Sequence, residues 1–231
     1  MQKTEGIVLR RQEVRETSLL LVTFTRSMGK LNGLVKGVRG ARAAVPWYLE
    51  PLTLQAMVIY ERKRSPWALI SSCDLLDAFD PIRRDLTRTA YAAYLLDLTD
   101  AMTVVGDPHP DLFDLLLQGL RALGGAEDPR SVVRFLELRL LKASGLFPEE
   151  SAASLSPDAR AILQEMLRIR PEAAAQMHLS PSVEGELRLK LLGLLRRALE
   201  RDLKSHLFLV ALGLEGNRPH PQPLPVLAHG S

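Results

Sequence analysis

Residues 18–38 read Ser18-Leu19-Leu20-Leu21-Val22-Thr23-Phe24-Thr25, then Arg26-Ser27-Met28-Gly29-Lys30, then Leu31-Asn32-Gly33-Leu34-Val35-Lys36-Gly37-Val38. Two apolar runs flank a short polar stretch, and Met28-Gly29-Lys30 marks a tight turn between them, so the spacing predicts paired strands. Gly33, Gly37 and Gly40 punctuate the second run and predict bulges or a bend that lets a sheet close. Upstream, Ile7, Val8 and Leu9 make a shorter run within Gly6–Arg10. Downstream, Leu52 to Tyr60 and Trp67 to Leu76 are two more, separated by the charged turn Glu61 to Pro66. Five short strands in succession predict a small closed barrel, because closure removes the sheet edges.

The period changes near Pro81. From Ile82 onward the apolar spacing is helical, with Leu86, Ala90, Tyr94, Leu95 and Leu98 on one face. Gly106-Asp107-Pro108 ends that helix, and Asp111 to Leu123 makes a second, stopped by Gly124-Gly125. Asp128-Pro129, Ser156-Pro157 and Ser180-Pro181 each place a capping side chain before a proline, the signature of a helix start. The first of these helices runs to Ser144 and stops at Gly145, the second to about Arg168, and the leucine-rich third to about His206. The expected architecture is α+β: a β-module over 1–80, an all-α domain over 81–215, and a proline-rich, disordered tail over 216–231.

Composition narrows the function. One cysteine, Cys73, rules out an internal disulfide framework and any paired-cysteine metal site. No run of eighteen apolar residues exists and the N-terminus lacks an apolar leader, so a cytoplasmic protein without a membrane span is expected. None of the five histidines has ligand-spaced partners, and no phosphate-binding loop, dinucleotide fingerprint or nucleophile elbow is present. The carboxylate pairs Asp97/Asp100 and Asp111/Asp114 read as solvated helix faces. No catalytic residue, metal or cofactor is assigned.

Charge is the one feature with direction. Residues 1–47 hold nine Lys or Arg against Glu5, Glu13 and Glu16, while the whole chain is only +3. A concentrated positive field suits a polyanion, since cations gain affinity by releasing counterions condensed on phosphates. Candidate contacts are Arg10, Arg11, Arg15, Arg26, Lys30, Lys36, Arg39 and Arg42, with Arg39-Gly40-Ala41-Arg42 an adaptable loop. Trp47, Tyr48 and Trp67 are candidate stacking platforms, because every base offers a π-face. The competing interpretation is a solvated cationic surface with the aromatics packed inside.

Several runs resemble the RecO family of bacterial recombination mediators: Thr4-Glu5-Gly6-Ile7-Val8-Leu9-Arg10, Glu16 to Thr25, Gly29-Lys30-Leu31, and Val35 to Arg39. Leu49-Glu50-Pro51-Leu52, Asp77-Ala78-Phe79, Ala90 to Leu95, Leu112 to Leu116, Phe135 to Leu141 and Leu155-Ser156-Pro157 follow in the same order. The resemblance implies a five-stranded barrel of the OB type followed by a helical domain. It also implies binding of single- and double-stranded DNA, strand annealing, association with RecR and the single-strand-binding protein, and help in loading RecA. Many members carry a four-cysteine zinc module after the stretch matching Gly145-Leu146-Phe147-Pro148. Here only Glu149 to Ser154 precede the next helix start, so no structural zinc is expected. Two other functions stay open: an RNA-binding barrel, and an adaptor whose leucine-rich C-terminal helices form a partner groove.

Overall fold

The computed structural model describes residues 1–14, 17–38, 49–62, 65–200 and 203–215, except the side chain of 149. Strands β1 (Gln2–Val14), β2 (Ser18–Thr25), β3 (Gly29–Lys36), β4 (Leu54–Tyr60) and β5 (Ala68–Asp77) close a barrel in the order β1-β2-β3-β5-β4. Every pairing is antiparallel except the short closing pair, Gly33–Val35 of β3 against Ala68–Ile70 of β5. This is the OB-type barrel expected from the resemblance, with a helical part after it.

The glycines of the third segment meet the expectation only in part: Gly37, at φ 73, sits in a bend just past the end of β3, but β3 itself holds no bulge. The β2–β3 ladder runs from Ser18–Lys36 to Thr25–Gly29 without a bulge. Gly33 instead permits close approach at the closing pair, where a Cβ would lie 2.2 Å from the Ile70 side chain. The register shifts fall between Val8 and Arg10 in β1 and at two places in the β4–β5 pair. β1 needs its shift because its first half pairs with β4 and its second with β2, so the strand must bend between them. Gly29 turns the hairpin at φ 66, and a Cβ there would overlap the Asp107 carbonyl. Gly40 lies outside the described residues.

Alternation along the strands explains how the two parts join. Val8, Leu19, Leu21, Leu31, Met57, Ile59 and Ile70 fill the barrel. Their neighbours of opposite parity, Ile7, Leu9, Val22, Phe24 and Leu54, belong to one continuous cluster with the helices. Strand β2 is apolar on both parities because both of its faces are covered. Phe24 meets Phe113 at a ring-centroid distance of 6.1 Å, a contact of about 1 kcal/mol beyond its buried area.

The helices are α1 (Asp80–Arg83), α2 (Leu86–Met102), α3 (Pro110–Gly125), α4 (Pro129–Ala143), α5 (Pro157–Met166), α6 (Pro171–Ala174), α7 (Pro181–Leu199) and α8 (Lys204–Ala211). A 3-10 turn, Glu149–Ser154, precedes α5. Asp128, Ser156 and Ser180 cap α4, α5 and α7 by accepting hydrogen bonds from the Arg130, Ala159 and Val183 amides, with proline at each first turn.

Three expectations are corrected. Leu86 is 69% exposed rather than on a buried face, while Ala90, Tyr91, Ala92, Tyr94, Leu95, Leu96 and Leu98 are all buried. Helix α2 is central, packed by β1, α4 and α8, so most of its circumference is covered. The last long helix does not reach His206: α7 ends at Leu199, Glu200 adopts φ 53, and a separate α8 turns Leu203, His206 and Leu209 inward. Leu187, Leu191, Leu194 and Leu195 of α7 are core rather than a partner groove; Leu189 alone of its leucines is exposed, whereas α8 exposes Leu207, Phe208 and Val210 side by side. No helix among the described residues is long and apolar enough to cross a membrane. The tail over 216–231 lies outside the described residues.

Candidate nucleic-acid interface

The cations of the opening strands separate along β3 and β1. Arg26, at the β2–β3 turn, donates from Nε and Nη2 to Glu5 Oε2 at 3.1 and 2.9 Å and from Nη1 to Asp114 of α3. Its guanidinium also sits over the Phe113 ring, 4.8 Å from the centroid. Lys30, at the start of β3, donates from Nζ to Asp100 Oδ1 at 3.0 Å and to the Asp100 carbonyl. Arg10 donates from Nε to the other carboxylate oxygen of Asp100 at 3.1 Å. Arg11 pairs with Glu50.

These four side chains therefore do not form the open cationic stripe expected from sequence. Asp100 and Asp114, expected on solvated faces, point at the barrel, and Asp97 accepts from the Ser205 hydroxyl at 2.7 Å. The physical reason is the covered outer face of β1 and β2. At the margin of that apolar contact Lys30 loses water and the Asp100 carboxylate replaces it, while Arg10 and Arg26 keep more solvent and still carry acid partners. Lys30 shows this most, with its side chain only 12% exposed. A backbone bond from the Gly106 amide to the Lys30 carbonyl, 2.8 Å, ties the α2–α3 loop to the same point.

The other end of β3 differs. Lys36 is exposed, lies opposite Ser18 on β2, and has no acid partner among the described residues. Beside it the Val38 amide donates to the Thr17 carbonyl at 3.2 Å, so the β1–β2 turn and the end of β3 are held together. The chain then enters the segment bearing Arg39, Arg42, Trp47 and Tyr48, which, with Arg15, lie outside the described residues. Trp67 is half-buried at the entry to β5, its amide donating to Ser65 Oγ at 3.1 Å.

Sequence reasoning missed the acids as barrel partners, and it missed Arg62, exposed on the β4–β5 turn. Arg62 lines an open cleft of about 490 Å³ with Gln2, Ser27, Lys30, Asn32 and Val105. The signal for Asp97 and Asp100 was their spacing of three among the apolar residues of the stretch from Ala90 to Asp100, most of which is buried. Cys73 is largely buried, and burial first, then the nearby Asp74 charge, pushes its thiol up to about 12, so it is no nucleophile. Among the described residues no group of three His, Cys, Asp or Glu is placed to hold a metal.

Comparison with known proteins agrees with this architecture. Residues 1–79 match the family described as recombination protein O N terminal, and residues 83–154 match recombination protein O C terminal. The chain is similar to the DNA repair protein RecO of Moorella thermoacetica, 38% identical over 153 residues, covering 66% of this chain and 56% of that protein. It is similar to those of Syntrophus aciditrophicus, 33% identical over 146 residues covering 63% and 56%, and Bacillus subtilis, 30% over 149 residues covering 64% and 58%. The chain thus spans a little over half the length of these relatives. With both halves of the fold matched in order, barrel and then helices, the chain belongs to the recombination protein O family.

Proposed function

We propose that this chain is a non-enzymatic DNA repair protein that binds single- and double-stranded DNA at the end of its barrel away from the Lys30–Asp100 contact. The observation that supports this most is Lys36. It is exposed and without an acid partner among the described residues, at the strand end that leads into Arg39 and Arg42. Phosphate contacts there would be sequence-independent, as suits a protein acting on any damaged strand. Strand annealing, association with RecR and the single-strand-binding protein, recombinase loading and a cytoplasmic setting are part of the same proposal, and the family resemblance supports them.

Fluorescence anisotropy with labelled single-stranded DNA, duplex DNA and matched RNA at two salt concentrations tests it. Binding to both DNA forms that weakens as salt rises is expected. No binding at low salt, or affinity indifferent to salt, would refute DNA binding, and preference for RNA would favour the competing polymer. A second role, as an adaptor, is supported by exposed Leu207, Phe208 and Val210 on α8. Substituting all three with serine should abolish capture of purified RecR or single-strand-binding protein without changing DNA affinity. Undiminished capture of both partners would exclude that face.

A further inference from the structure

Arg134 and Glu137 stand one turn apart on α4, amid Val132, Val133, Phe135, Leu136 and Leu138, and both are almost wholly buried. Arg134 donates from Nη1 to Glu137 Oε2 at 2.9 Å and from Nη2 to Glu215, which lies just after α8. Its Nε lies 3.5 Å from Glu184 of α7. Arg188, also on α7, approaches Glu215 Oε2 at 3.7 Å. From α2, the Tyr94 hydroxyl donates to Glu137 at 2.6 Å and the Tyr91 hydroxyl to the Leu214 carbonyl at 3.2 Å. His206 of α8 packs on the Tyr94 ring.

The cluster is unbalanced. Three carboxylates, Glu137, Glu184 and Glu215, face two guanidiniums, Arg134 and Arg188, and Arg130 on the next turn of α4 is engaged by Asp128. A lone excess charge in a dry interior is expensive, and a proton is the smallest neutraliser. Glu215 is the group placed to take it. Among the described residues Glu215 Oε2 and Glu184 Oε1 both lack a hydrogen-bond partner, but the Glu215 side chain is 1% exposed against 10% for Glu184, and it sits at the end of the chain segment covering α2. Burial foremost, opposed by Arg134 and reinforced by Glu137 and Glu184, pushes its carboxyl up to about 7.

We propose that the cluster holds one proton on Glu215, and that its loss above neutral pH loosens the latch formed by α8 and the residues up to Glu215. That latch covers Tyr94 and Leu195 with Leu203 and His206. It also ties α7 and the end of α8, which lie beyond the stretch matching the family's C-terminal half, to α2 and α4 within it. The released proton goes to solvent, and the ionised carboxylate is stabilised better by water outside the bundle than by the two shared guanidiniums within it.

Hydrogen exchange of the amides in 203–215, read by mass spectrometry on the full chain and corrected for intrinsic rate, tests this. Between pH 6 and pH 8 the opening of the latch should rise about tenfold, the factor that linkage gives for a carboxyl moving from 4.5 to about 7. Amides of α3 serve as reference and should show no such change. Glu215→Gln should flatten the dependence and His206→Asn should keep it. Equal protection of the wild-type latch at both pH values would overturn the proposal. So would a dependence that survives Glu215→Gln or vanishes in His206→Asn; the wild-type and His206→Asn measurements stand alone if the glutamine variant does not fold.

Discussion

Lys30 and Lys36 sit on one face of one strand, six residues or roughly 20 Å apart. One is a structural cation, and the other has no acid partner among the described residues. Lys30 lies where the barrel meets the helices, and its ammonium is held by Asp100 with Arg10 on the other oxygen. Lys36 lies at the opposite end, in solvent. The same residue type, read from sequence as one electrostatic stripe, thus serves assembly at one end and is available to a ligand at the other. Total charge in a segment says little about how much of it a partner can reach.

The largest expected effect comes from reversing the buried member of the pair. Lys30→Glu would set a carboxylate against Asp100 in a nearly closed contact and should cost about 4 kcal/mol in urea unfolding. Lys36→Glu should change stability by less than about 0.5 kcal/mol. Equal costs would dissolve the distinction between the two ends.

Next comes pH. The Glu215 carboxyl stands at about 7 in the fold, by burial against the pull of Arg134, and at 4.5 as the ordinary value. Its neutral form favours the fold fully below about 4.5, and that advantage fades as pH rises through about 7. Urea midpoints should fall across this window by the equivalent of about 2–3 kcal/mol. The slope should persist in Asp100→Asn, because it belongs to the helical interior rather than the barrel contact, and shrink in Glu215→Gln. A slope lost in Asp100→Asn would assign it to the wrong region.

Smaller again is Asp100→Asn itself. It leaves Lys30 and Arg10 without their shared anion and should cost about 1–2 kcal/mol while leaving DNA affinity within twofold. A tenfold gain in DNA affinity in that variant would mean that Asp100 competes with phosphate, and that the junction cations belong to the DNA site after all.

What was legible in the sequence follows from how local each signal is. The cap-and-proline pairs at Asp128, Ser156 and Ser180 located three helix starts because capping is a contact within four residues. The five strands were legible from their apolar runs, yet the β1 bend was not, since it arises from sharing one strand between two partners. The ion pairs of Arg10, Arg26 and Lys30 span roughly 90 residues or fewer and depend on which barrel face the helices cover. No local spacing encodes that. No spacing on α4 marks Arg134 and Glu137 as interior; only the packing of α2, α7 and the end of α8 around them makes them so.

The most direct test is the salt dependence of single-stranded DNA binding in wild type, Lys36→Ala and Lys30→Ala, each confirmed folded. The slope of log affinity against log salt should fall by about one in Lys36→Ala and stay at the wild-type value in Lys30→Ala. A slope unchanged by Lys36→Ala but reduced by Lys30→Ala would place the phosphate strand at the helical junction and contradict the division of the barrel drawn here.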